Sequence, residues 1–151
     1  MSESIRHFKF EIVSPERVVL KTTARQVSVP TVDGEITILP FHIPLVALLK
    51  TGVIEVVLED GGRDVMSVSG GLVEVLADKV VILADSAERA EELNETVIEA
   101  ARKRAEELKS QVQRQDDVEF ARLSALIERE TARSRALKRW KRILSSLSSF
   151  K

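Results

Sequence analysis

Residues 29–52 read VPTVDGEITILPFHIPLVALLKTG, and their pattern decides the fold of the first half of the chain. Val27 and Val29 before the turn, and Ile36 and Ile38 after it, alternate with other residues at the period of a strand with one buried face. Asp33-Gly34 lies between the two runs, where glycine permits the positive φ of a tight turn. Pro40 and Pro44 bracket a rigid span that cannot join a central strand, since each lacks an N–H donor and fixes φ. Phe41 and Ile43 therefore sit in a loop, either as a binding surface or tucked into the edge of the sheet.

The same grammar extends to both sides. Phe8, Phe10 and Ile12 alternate with His7, Lys9 and Glu11. Val53 to Leu58 is mostly β-branched, Met66 and Val68 alternate with Ser67 and Ser69, and Val73 and Val75 flank Glu74. Val80-Val81-Ile82-Leu83 is a continuous apolar run, which predicts a strand covered on both faces. Turn signals separate these runs at Thr51-Gly52, Asp60-Gly61-Gly62, Gly70-Gly71 and Asp78-Lys79. Short strands at such spacing predict an antiparallel sandwich or flattened barrel.

Beyond about residue 85 the composition changes. All four prolines and all six glycines lie between residues 15 and 71, and none follows Asp85. Residues 1–84 carry 8 basic and 11 acidic side chains, whereas residues 85–151 carry 15 and 13. We expect a β domain over residues 1–86 and a helical hairpin over residues 87–151. Leu93, Val97, Ala100, Ala101, Ala105 and Leu108 recur at helical spacing, forming a narrow, alanine-rich stripe. Either Asp85-Ser86 or Asn94 can cap this helix. The pattern lapses at Gln111–Gln115, and Asp116 with Glu119 resembles a capping box opening a second helix. Phe120, Leu123, Ile127, Ala136, Leu137, Trp140 and Leu144 continue it, with fraying expected from Ser145 to Lys151. A short polar connection makes the pair antiparallel. The expected architecture is thus an all-β sandwich or flattened barrel followed by an α-helical antiparallel hairpin.

Several function classes are excluded or disfavoured by composition. The 151 residues carry a net charge of −1 and no cysteine, which removes disulfide frameworks, thiolate metal sites and thiol catalysis. No apolar run approaches the roughly 20 residues of a membrane-spanning helix, and Met1–His7 lacks the pattern of a signal peptide. Phosphate-loop and histidine metal-ligand spacings are absent, and no paired-carboxylate constellation stands out, so we expect no enzyme and no cofactor. Arg133, Arg135, Lys138, Arg139, Lys141 and Arg142 form a basic cluster with no acid among them. A nucleic-acid or anionic-membrane binder using that helix is the competing reading, weakened by the slightly acidic remainder of the chain.

The chain resembles the epsilon subunit of the rotary F-type ATP synthase, the delta subunit of mitochondria. Within the family's signature it has Pro30, Asp33-Gly34-Glu35, Leu39-Pro40, His42 and Pro44-Leu45. Ser69-Gly70-Gly71-Leu72-Val73-Glu74-Val75, Val80 to Asp85, and Phe10-Glu11-Ile12-Val13-Ser14-Pro15-Glu16 extend the likeness in order along the chain. Thr37 and Phe41 stand where the family usually has glycine.

The resemblance implies a non-catalytic central-stalk subunit that couples ion-driven rotation of the c ring to the gamma subunit. It implies gamma, the c ring and the alpha/beta catalytic head as partners. It also implies no nucleic acid, and a peripheral place on the cytoplasmic face of the inner (plasma) membrane reached through the c ring. Carried over by position, Glu35 and His42 are candidate gamma or c-ring contacts, and Phe41 and Ile43 join them on the loop argument above. The hairpin is then regulatory, with Arg133, Arg135, Lys138, Arg139, Trp140, Lys141 and Arg142 as the contact to the catalytic subunits. Some relatives bind ATP through Ile/Leu-Asp-x-x-Arg-Ala. The aligned Leu93-Asn94-Glu95-Thr96-Val97-Ile98 lacks the Asp, the Arg and the Ala, which predicts no tight ATP binding.

Overall fold

Nine strands precede two helices among residues 7–112 and 116–149, the part of the chain that the computed structural model describes. Met1–Arg6, part of the expected Gln111–Gln115 connection and the terminal Phe150-Lys151 lie outside the described residues. The strands are β1 (Phe8–Val13), β2 (Val18–Thr31), β3 (Gly34–Ile38), β4 (Leu45–Leu49), β5 (Gly52–Leu58), β6 (Arg63–Val68), β7 (Gly71–Val75), β8 (Lys79–Ala84) and β9 (Ala87–Arg89). A 3-10 turn at Ala90–Glu92 leads to α1 (Glu95–Gln111) and then α2 (Asp117–Ser148). The chain is a β-sandwich followed by a helical pair, as its sequence predicts.

Strand pairing closes part of the sheet into a ring, in which β1 pairs with β8, β8 with β7, β7 with β4, β4 with β2, and β2 again with β1. From β2 the sheet continues through β5 and β6 to β9. The pairing is antiparallel except between β1 and β8, which run parallel. The exception follows from topology, because the first and last long strands meet to shut the ring. Inside it Phe10, Ile12, Val27, Val29, Ile54, Val56, Val73 and Ile82 are fully buried. Fully burying each such side chain is worth roughly 1.5–3 kcal/mol.

Two expectations about strand faces are overturned. The run Val80–Leu83 is not covered on both sides: Val80 and Ile82 are buried, but Leu83 is exposed. The strand covered on both sides is β6, in which Asp64 to Val68 are all buried. Met66 and Val68 face the sandwich core, while Val65 packs with Ala90 and Ala136 beneath the helices. Alternation in the sequence registers only one of these two layers. Sheet structure also runs past the expected change at 86, since Ala87–Arg89 pair with Met66–Val68 as β9.

The helices also differ in detail. Asn94 caps α1 by accepting a hydrogen bond from the Val97 N–H, which resolves the choice of cap, and Asp116 caps α2 from the Glu119 N–H. The buried face of α1 carries Ile98 and Ala105, whereas Val97 and Leu108 of the expected stripe are exposed. In α2, Leu123, Ala136 and Leu137 are buried, and Phe120 and Leu144 are exposed. Fraying from Ser145 is not seen. The helix continues through Ser148, with the Ser145, Ser146 and Ser148 hydroxyls donating to carbonyls one turn back.

Candidate functional site

The proline-bracketed loop between β3 and β4 projects its apolar side chains into solvent. Phe41 is 73% and Ile43 74% exposed, so neither tucks into the sheet edge. Phe41 has φ 65°, a left-handed conformation that disfavours side chains and accounts for glycine at this place in the resembling family. The loop is tied down by the His42 N–H donating to the Leu39 carbonyl at 3.2 Å, and His42 Nδ1 lies 2.7 Å from the Ile43 carbonyl oxygen. Thr37, the other departure from glycine, is accommodated on β3 with its hydroxyl 3.0 Å from that of Ser28. Glu35 lies at the start of β3, at the far end of that strand from this loop, opposite Pro30 of β2, and is exposed.

A second apolar surface escaped the sequence reading. Register sets Leu48 opposite Leu72, Leu72 opposite Leu83, and Leu83 opposite Val13, a row across four strands. Leu48 and Leu83 are exposed, as is Val46 two positions along β4. The signal was present in Leu45–Leu49, which is apolar at every position, but only pairing across strands turns it into a patch.

The basic helix splits into paired and unpaired cations. Arg139 Nε lies 2.7 Å from Glu55 on β5, a carboxylate also 3.0 Å from Arg63. Arg133 Nε lies 2.6 Å from Glu88 on β9, and its Nη1 lies 3.0 Å from the buried Glu130. Lys141 Nζ lies 2.6 Å from Glu95 in the first turn of α1, and its hydrogen bond holds the Glu95 carboxyl below its ordinary value. Arg135, Lys138 and Arg142 have no ion-pair partner among the described residues. Arg135, Arg139 and Arg142 line a groove of about 540 Å³ with Glu35, Lys50 and Pro30. Trp140 is half-buried against the small cluster of Val65, Ala90 and Ala136.

Elsewhere Arg17 forms a two-pronged pair with Glu92, with Nη1 2.9 Å from Oε1, tying the β1–β2 turn to the 3-10 turn. Hydrogen bonding from Arg17 holds the Glu92 carboxyl below its ordinary value and raises the Arg17 guanidinium. Among the described residues, no grouping of His, Asp and Glu suits a metal ion, and no helix is long and apolar enough to cross a membrane.

Comparison with known proteins places this geometry. Residues 7–90 match the family described as ATP synthase, Delta/Epsilon chain, beta-sandwich domain. The chain is 42% identical over 130 residues to an ATP synthase epsilon chain of Herpetosiphon aurantiacus, covering 86% of this chain and 93% of that one. It is 39% identical over 126 residues to an ATP synthase epsilon chain of Moorella thermoacetica, covering 83% and 92%. Its fold is shared with a chain in a cryo-EM structure of the Euglena gracilis mitochondrial ATP synthase, OSCP/F1/c-ring, at TM-score 0.76 and 22% identity over 87% of this chain and 82% of the other.

Proposed function

The chain belongs to the ATP synthase delta/epsilon family, and from that premise we propose that it turns with the central stalk and regulates the motor through its helices. In this reading the β-sandwich, which runs through β9, binds the gamma subunit and rests on the c ring, and the helical hairpin of α1 and α2 that follows it is regulatory. The subunit is non-catalytic and peripheral, and reaches the cytoplasmic face of the membrane only through the c ring. Two exposed apolar features support the docking. Phe41 and Ile43 project beside His42 on a hydrogen-bonded loop, and the row of Leu48, Leu72 and Leu83 offers a flat surface to a long-lived partner. Glu35 is the polar contact to the c ring.

The observation that carries the regulatory half is the small apolar contact beneath α2. Its buried members are Val65, Ala90 and Ala136. Val53, Leu93, Trp140 and Ile143 pack against them at partial burial, and this satellite contact, far smaller than the sandwich core, holds the hairpin against the sandwich where an alternative surface can compete. Once extended, α2 presents Arg133, Arg135, Lys138, Arg139, Lys141 and Arg142 to acidic residues of the catalytic head, with Trp140 as the apolar anchor. Charge of one sign over residues 133–142 makes that docking fast and salt-sensitive.

The test is ATP hydrolysis by a reconstituted catalytic head and gamma, with the full chain or with a chain ending at Leu93. The full chain slows hydrolysis and the shortened chain does not, while both are retained by gamma. Equal inhibition by the two chains would refute a regulatory hairpin. Failure of both to bind gamma would refute the stalk assignment.

A further inference from the structure

We propose that Glu55, Glu88 and Glu95 form a carboxylate clasp that holds α2 closed by occupying the cations it needs for a partner. The proposal deepens the regulatory reading above and rests on it for its biological meaning, although the clasp itself is intramolecular. Its three carboxylates come from three different elements: β5, β9 and the first turn of α1. Each meets a different cation of one helix: Glu55 with Arg139 at 2.7 Å, Glu88 with Arg133 at 2.6 Å, and Glu95 with Lys141 at 2.6 Å. The contacts span two turns of α2, so the helix is gripped along its length and not at one point.

The cluster is divided by partner and not by position in sequence. Arg133, Arg139 and Lys141 are engaged, whereas Arg135 and Arg142 face the groove beside Lys50 and Glu35 without an ion pair among the described residues. Closed and extended arms therefore draw on overlapping cations. An acidic partner segment gains little from Arg133, Arg139 or Lys141 until the clasp lets go. The intramolecular carboxylates hold the advantage of high effective concentration. Arg135, Lys138 and Arg142 stay available and can make the first encounter, which the engaged cations then complete.

The pairs differ in strength. Glu95 and Lys141 are both more than half exposed, so salt screens them readily. Glu55 is 13% exposed and also held by Arg63, and Arg133 is 18% exposed and also held by the buried Glu130. The clasp therefore opens first at Lys141 as ionic strength rises.

The natural chain has no cysteine, so V32C and L147C introduce a unique donor–acceptor pair on the sandwich and the arm for energy transfer in the full-length protein. In the parent pair, transfer falls with added salt. Combining E55Q, E88Q and E95Q lowers the closed-to-open ratio about tenfold or more at low salt, at about two- to fivefold for each pair, and flattens the salt dependence. R135Q with R142Q leaves the ratio within about twofold of the parent, as expected for cations outside the clasp. Exchanging the pair that has no other ion-pair partner among the described residues, E95K with K141E, restores closure that E95K alone loses, which separates clasp opening from misfolding. The proposal is overturned if the triple variant keeps the parent's transfer at every salt concentration, or if R135Q with R142Q opens the arm as far as the triple variant. A clasp that opens as described without any effect on hydrolysis would instead refute the regulatory reading and leave the clasp standing.

Discussion

At Phe41 a bulky side chain occupies a backbone conformation that glycine takes without cost. Left-handed φ costs an ordinary residue about 1–2 kcal/mol, partly offset in a Phe41→Gly variant by the greater freedom of glycine in the unfolded chain. We expect that variant to gain up to about 1 kcal/mol in urea unfolding and to bind gamma more weakly. Gly71 is the opposite case. With φ 125°, an added Cβ would lie 2.2 Å from the Leu83 carbonyl oxygen and 2.8 Å from Ala84 Cα, both backbone atoms of the paired strand β8. Gly71→Ala should therefore cost several kcal/mol, on the order of the largest single-substitution effects, in the same measurement. At Glu92 the hydrogen bond from the Arg17 guanidinium holds the carboxyl below the ordinary carboxylate range, so the stabilisation is present above that range and is lost as pH falls through the depressed value. The pair is partly exposed, so its contribution is about 0.2–1 kcal/mol. Unfolding of the parent and of E92Q should differ by that amount at pH 7, and the difference should shrink as pH falls below the ordinary carboxylate range. The motif comparison singled out Phe41 because a pattern of glycines is a pattern of backbone angles. Glu92 carried no such mark, since its partner is distant along the chain.

Between residue and molecule stand the elements, and here legibility followed the number of faces each one buries. β1 has one buried face, and Phe8, Phe10 and Ile12 announced it directly. β6 buries two faces in two different layers, and Ser67 beside Val65 hid the second, while on the Met66 side the Asp64 carboxylate accepts hydrogen bonds from Arg89 and from the Val65 N–H. The stripe on α1 was displaced by one position because its exposed Val97 and Leu108 are as apolar as its buried Ile98. Periodicity detects an apolar face, but it takes the packed neighbour to choose between two adjacent ones. The site was legible in part for the same reason. Loop hydrophobes and basic residues are visible one at a time, whereas the row from Leu48 to Leu83 and the carboxylates opposite α2 exist only after folding. Asn94 illustrates what a substitution in a motif can signify. It spends its side chain on the Val97 N–H as the cap of α1, and Asn94→Ala should destabilise the helix by about 1 kcal/mol. With Val97 in place of the motif's arginine, isothermal titration should show no micromolar ATP binding to the full chain. Micromolar binding would contradict this account of the motif.

For the whole molecule, the cores are unequal. The sandwich encloses the large cluster that includes Phe10, Ile12, Ile54, Met66 and Ile82, while the hairpin touches it through Val65, Ala90 and Ala136. A chain ending at Leu93 should accordingly unfold in one cooperative thermal transition with its β signal intact, losing only the apolar contact and the ion pairs that join the arm to the sandwich. Broad, gradual melting would show that the arm is integral to the β half.

The parallel meeting of β1 with β8 bears on how such a body carries load. In an open sheet the outermost ribbon can be peeled away one hydrogen bond after another. Here the first ribbon of the chain is fastened on both flanks, to β2 and to β8. Tension along it is resisted by both ladders at once, in shear. A component that rides on a spinning axle meets repeated sideways tugs, and a hoop of strands passes each tug around its circumference before any seam can start to unzip.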